Sequence, residues 1–231
     1  MGRLSVAGGS YPKYSTDKSV EHALCQWERL SEQNRFLVHA FDIEKFERGD
    51  LSKRRAEEVF KTWDVFSTSL VDPQRIFRLR HRCQKIGAAV STQVFGEVGL
   101  ILDVPAQNIL GTFPEDVMFP THLPAQDYKF ADAILNGISK LYSLKLVKKY
   151  NKVVSPDAIV GRTMFHNEVL VVGKPNVKIH FKMTQPVKVR GIIYAPKCKG
   201  ADNDRGAASF KRLKLIARLR QLNPGLGIIE V

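Results

Sequence analysis

The chain has 231 residues, 44% hydrophobic and 26% charged, enough for a sizeable core and ordinary for a soluble globular protein rather than a disordered or fibrous one. Lys and Arg number 36 against 23 acids, a formal net charge of +13, which favours polyanionic surroundings such as nucleic acid or an anionic membrane surface. Cys25, Cys83 and Cys198 are too few and too far apart for a disulfide framework, no Cys-x-x-Cys or His-Cys cluster suggests a metal, and free thiols are expected.

Residues 1–16 are Gly/Ser/Tyr-rich and unperiodic and read as a flexible arm ahead of one domain over 17–231. The arm has no apolar run of the secretory type, and no stretch approaches the roughly eighteen apolar residues of a membrane span. From Asp17, Val20, Leu24, Trp27 and Leu30 recur at helical spacing. "RFLVHAF" (35–41) reads as a short buried strand. "DLSKRRAEEVFKTWDVF" (50–66) reads as a second helix, with Asp50 or Ser52 as N-cap and Val59, Trp63 and Phe66 on one face. "VGLILDV" (98–104) is a continuous apolar run closed by Pro105 and reads as a central strand.

The Pro-rich stretch that follows reads as an irregular surface connection, and "YKFADAILNGISKLYSLKLVKKY" as a third helix ending in a Lys cluster. "NEVLVVG", "NVKIHFK" and "VKVRGIIY" read as three short strands. The final segment "SFKRLKLIARLRQL" reads as a helix with Phe210, Leu213, Ile216 and Leu219 or Leu222 inside and Lys211, Lys214 and Arg218 outside. This order of helices and strands argues for an α+β fold.

The common catalytic templates are absent: there is no G-x-G-x-x-G, no Walker loop, no G-x-S-x-G elbow and no H-E-x-x-H. Three other segments stand in an informative order. "FLVHAF" carries His39, "VFSTSLVD" carries Ser67, Thr68 and Ser69, and "FHNEVLVVGKPNVKI" carries His166, Asn167 and Glu168. Together they resemble the ADP-ribosyltransferase superfamily of the Arg-Ser-Glu type. Its members place a basic residue on an early strand, an STS stretch at the head of a later one, and a Glu at the start of a third. The third segment is similar to the family's E-x-E-V-L-I-P-P-x-x-V stretch. His39 stands where Arg is usual, with Arg35 nearby, and a related clade uses His on that strand. His166 stands where the family has Gln or Glu. A rival second motif, "AVSTQVFGEVGLILDV", offers Ser91 and Thr92 instead of Ser67 to Ser69.

The resemblance implies a mixed or antiparallel β core of two small sheets flanked by helices, with NAD as substrate and no metal. It implies Glu168 as the catalytic carboxylate, supported by Ser67, with His166 as base on the acceptor. His39, Arg35, Thr68, Ser69, Ser91, Thr92 and Asn167 would contact the dinucleotide. It further implies a toxin or effector domain exported by a non-classical route into a target-cell cytoplasm.

Basic clusters at Arg75 to Lys85, Lys145 to Lys152 and Lys211 to Arg220 would track a phosphate backbone, making RNA or DNA an acceptor alongside protein, with RNA favoured. For a toxin of this charge an acidic neutralising partner is also expected. Two other readings compete: a non-enzymatic nucleic-acid-binding protein, and a metal-independent nuclease using His39 or His166. His122 and His180 are expected to be hydrogen-bonded structural residues.

Overall fold

The computed structural model describes residues 17–41, 46–47, 49–72, 98–114, 152–162, 167–180, 182–194 and 205–230. The expected arm (1–16), the helix expected over 128–150 and the first basic cluster lie outside them, as do His122, His166, Ser91 and Thr92. The described strands are β1 (Phe36–Phe41), β2 (Phe66–Val71), β3 (Val98–Asp103), β4 (Ile109–Phe113), β5 (Glu168–Val171), β6 (Lys188–Tyr194) and β7 (Gly227–Glu230). The described helices include α1 (Asp17–Trp27), α2 (Ala56–Phe60), α3 (Pro156–Arg162) and α4 (Arg205–Leu222), with single 3-10 turns at Asp50–Ser52 and Ala106–Asn108.

The strands form one seven-stranded sheet in the order β4-β5-β2-β1-β3-β6-β7, antiparallel throughout except for the parallel β6/β7 pair. The α+β class is as expected; the two small sheets are not. The reason is β2, whose C-terminal half pairs with β1 (Phe36↔Val71 to Val38↔Ser69) while its N-terminal half pairs with β5 (Phe66↔Val171 to Thr68↔Val169). One continuous strand thus fuses two ladders into a single sheet.

Side-chain alternation along the strands separates two cores. On one face Leu37, Phe66, Leu70, Leu100, Val169, Val171 and Ile192 pack under residues from α1 to α4: Leu24 and Trp27 of α1, Val59 and Phe60 of α2, Ile159 of α3, and Leu215 and Leu219 of α4. On the other, Val38, Val71, Ile101 and Ile193 form a smaller cluster with Phe36 and Ala40 against it. Trp27 is 2% exposed, and its indole N–H is satisfied by the Val154 carbonyl at 2.8 Å, so α1 is both packed and hydrogen-bonded to the chain leading into α3.

Several elements differ from the sequence reading. The second helix shrinks to α2, because Trp63 to Val65 lead straight into β2 and Phe66 is a strand residue. The Pro-rich connection begins with an unexpected strand, β4, whose residues are all buried. "NVKIHFK" forms no strand: Asn176 turns at φ 61°, and the only pairing there is an isolated bridge, Lys178↔Met183. On α4 the buried residues are Leu215, Ile216 and Leu219, whereas Phe210 and Leu213 are 69% and 63% exposed.

Candidate functional site

Three strands carry the three motif segments, and they are neighbours in the order β5-β2-β1. Glu168 opens β5 opposite Phe113 of β4. Extending the β2/β5 register by one residue from Thr68↔Val169 sets Ser69 across from it on the other side. Glu168 is 2% exposed and Ser69 6%, so a carboxylate and a hydroxyl are buried on adjacent strands at one end of the sheet. A glutamate is rarely buried this deeply without partners.

Alternation fixes which side chains share a face. Val169 and Val171 enter the helix-side core, as do Phe66 and Leu70. Glu168, Ser67 and Ser69 therefore project from the opposite face, the side of Val38 and Val71. Thr68 points to the helix side, where its hydroxyl donates to the Val169 carbonyl at 2.8 Å and ties β2 to β5.

His39 also lies on the helix side. Its ring sits edge-on to Phe60, Trp63 and Phe66, with centroids 5.7, 5.5 and 5.5 Å away. Its Nδ1 is 2.8 Å from the Ser67 carbonyl oxygen, which can only accept, so Nδ1 carries the proton. This bond occupies the side of β2 where the β1 ladder has ended. Burial pushes the His39 pKa down, and the bond to Ser67 opposes that without cancelling it.

Asn167 performs the matching task at the other end of β2. Its Oδ1 accepts from the Leu70 N–H at 2.6 Å and its Nδ2 donates to the Leu70 carbonyl at 2.8 Å. The side-chain amide thus replaces a strand backbone just before Glu168. The sequence reading gave Asn167 and His39 to the dinucleotide; here both grip the strand that carries Ser67 and Ser69.

Arg35 lies at the start of β1, 16% exposed, bound to Asp72 after β2 and to Asp157 at the start of α3. Burial works against its charge, but the hydrogen bonds and charges of Asp157 and Asp72 outweigh it and raise its pKa. His180 is hydrogen-bonded, as expected, through Nε2 to the Ile109 carbonyl at 2.7 Å.

The sequence reading passed over further buried polar groups, Asp64 and Asn108 among them. Asp64, 1% exposed, precedes β2 at the end remote from Glu168, and burial pushes its carboxyl up against the opposing charge of Lys174. Its signal in the sequence is an acid embedded in "TWDVF". Asn108, fully buried, binds the Val172 and Gln185 carbonyls and the Gln185 N–H, locking the approach to β4 against the exit from β5. Among the described residues there is no group of three or more His, Cys, Asp or Glu side chains able to hold a metal, and no helix long and apolar enough to cross a membrane.

Comparison with family models, with curated proteins and with solved structures finds no match to this chain.

Proposed function

We propose that the protein is an NAD-dependent ADP-ribosyltransferase, a toxin or effector domain that transfers ADP-ribose to a macromolecular acceptor. One observation carries the reading. Segments separated by about thirty and about a hundred residues of sequence, which together resemble that superfamily's motif set, are adjacent strands in the order β5-β2-β1, with Glu168 buried beside Ser69.

The chemistry asks for this combination. Cleaving the bond between ribose C1′ and the nicotinamide nitrogen sends the bonding pair to the leaving pyridine and leaves an oxocarbenium-like centre on the ribose. An ionised carboxylate fixed beside the ribose stabilises that positive charge as it develops, and burial strengthens the interaction. Glu168 takes this role, and Ser67 and Ser69 hydrogen-bond the carboxylate or a ribose hydroxyl from the same face. His39 acts as a positioning residue through the Ser67 backbone. The acceptor's nucleophilic atom then bonds to C1′ and gives up its proton, with His166 as the base on the expectation stated for it.

The test is labelled NAD incubated with purified nucleic acid in one tube and with protein extract in another. Label on either acceptor supports a transferase and names the acceptor. Label on neither, with NAD intact, rejects it. The second reading, a nucleic-acid-binding protein without catalysis, is favoured by the cationic outer face of α4. It predicts salt-sensitive binding indifferent to Glu168 and no nicotinamide release.

A further inference from the structure

The sequence of α4, "RGAASFKRLKLIARLRQL", contains basic residues and no acid. Its inner face is closed by Leu215, Ile216 and Leu219. At 100° per residue, Phe210, Lys214, Ala217 and Gln221 align along the opposite side, with Lys211 and Arg218 on the flank nearest Lys214. Phe210 is 69% exposed and Lys214 68%.

That flank is concave. A groove of about 620 Å³ runs between α4 and the wall formed by Phe46, Glu47 and Ser52, with Lys211, Lys214, Arg218 and Gln221 lining the helix side. Arg218 anchors the two walls by donating from Nε to the Ser52 carbonyl at 2.8 Å. Lys214 reaches Glu47 at 3.2 Å, and that glutamate is the acid in the groove. None of the motif residues Ser67, Ser69 or Glu168 lines it.

We infer that this groove seats a single-stranded nucleic acid, with its phosphates against Lys211, Lys214 and Arg218, and that a base stacks on Phe210, which stands one helical turn before Lys214 on the outer side of α4, outside the groove's lining. Charge complementarity selects a polyanion, since the chain carries +13 overall and this helix contributes cations without acids. Shape separates the polyanions. A bilayer surface cannot enter a groove, and an interfacial helix needs a broader apolar face than Phe210 and Leu213 provide. A duplex hides its base faces, whereas an unpaired strand offers them to an exposed aromatic ring. Binding at this groove stands apart from the transferase reading; only its extension, that the bound strand is the acceptor, rests on that reading.

The experiment is fluorescence anisotropy of the full chain with labelled oligouridylate and oligothymidylate of about twenty nucleotides, the two arms separating RNA from DNA. Anionic phosphatidylserine vesicles serve as the competing surface. Either strand is expected to bind with strong salt dependence. K211A/K214A should lower the slope of log affinity against log salt by about 1.4, the value for two lost phosphate contacts on a single strand. F210A should weaken binding about tenfold. E47Q, which removes the acid from the groove, should tighten it a few-fold. These positions lie on the solvent side, and unchanged melting temperatures verify the fold. Equal affinity across wild type, K211A/K214A and F210A overturns the inference, as does binding to vesicles in preference to both oligonucleotides. Nicotinamide release from NAD, measured separately, decides the transferase reading alone, so the two can fail independently.

Discussion

The side-chain amide of Asn167 makes both backbone hydrogen bonds of Leu70, accepting at 2.6 Å and donating at 2.8 Å. Glu168 follows immediately in the chain, so this pair of bonds sets where the candidate carboxylate stands relative to β2. N167A leaves a buried N–H and a buried carbonyl without partners. The expected loss is about 2 to 3 kcal/mol of unfolding free energy, measured by urea denaturation. A loss below about 0.5 kcal/mol would show that solvent or another group replaces the amide at once.

At the other end of β2 the neutral His39 ring spans from the aromatic cluster to the Ser67 carbonyl. Its pKa is lowered in the folded state by burial. Below the ordinary histidine value, near 6.5, the unfolded chain therefore takes up a proton that the folded chain resists. The His39 contribution leaves stability intact above that value and erodes it as pH falls toward the folded pKa. H39Q, which keeps a donor without a titrating ring, should flatten the stability profile as pH falls below about 6.5. Equal slopes for the two proteins would remove His39 as the cause.

The exit from β5 is equally constrained. A Cβ added at Gly173 would lie 2.2 Å from the Phe60 carbonyl oxygen, and this clash is with backbone, which cannot rotate away. G173A should destabilise the fold by about 3 kcal/mol by forcing β5 off α2. Thermal unfolding measures it, with a lowered melting temperature expected; an unchanged one would contradict the close approach.

β1 and β5 were legible because each is a compact β-forming run with flanking polar residues, whereas β2 was expected only from the resemblance and its first residue, Phe66, reads as part of the second helix. The adjacency of the three was not legible, since nothing local in "FLVHAF" or "NEVLVVG" says that β2 will share its two edges between them. β4 and β7 escaped notice because "ILGTF" and "GIIE" are short and stand among proline and glycine. "NVKIHFK" misled in the opposite direction. It alternates like a strand, but Asn176 and Val177 bond back to Thr184, which closes a loop instead of extending a ladder. On α4 the apolar residues Phe210, Leu213, Leu215, Ile216, Leu219 and Leu222 encircle more than one face, so spacing alone could not choose the buried one. Within the site, alternation along β1 and β5 places His39 and Glu168 on opposite faces only once the register of both against β2 is known.

The account turns on Glu168, 2% exposed at the head of β5. The most direct measurement is nicotinamide released from NAD by wild type and by E168Q, which keeps the side chain's shape while removing the charge and replacing one accepting oxygen by a donating NH2. The account predicts release by wild type and a fall of at least about a hundredfold in E168Q, with the circular dichroism spectrum retained. Undiminished release by E168Q, or no release by wild type with or without RNA present, would contradict it.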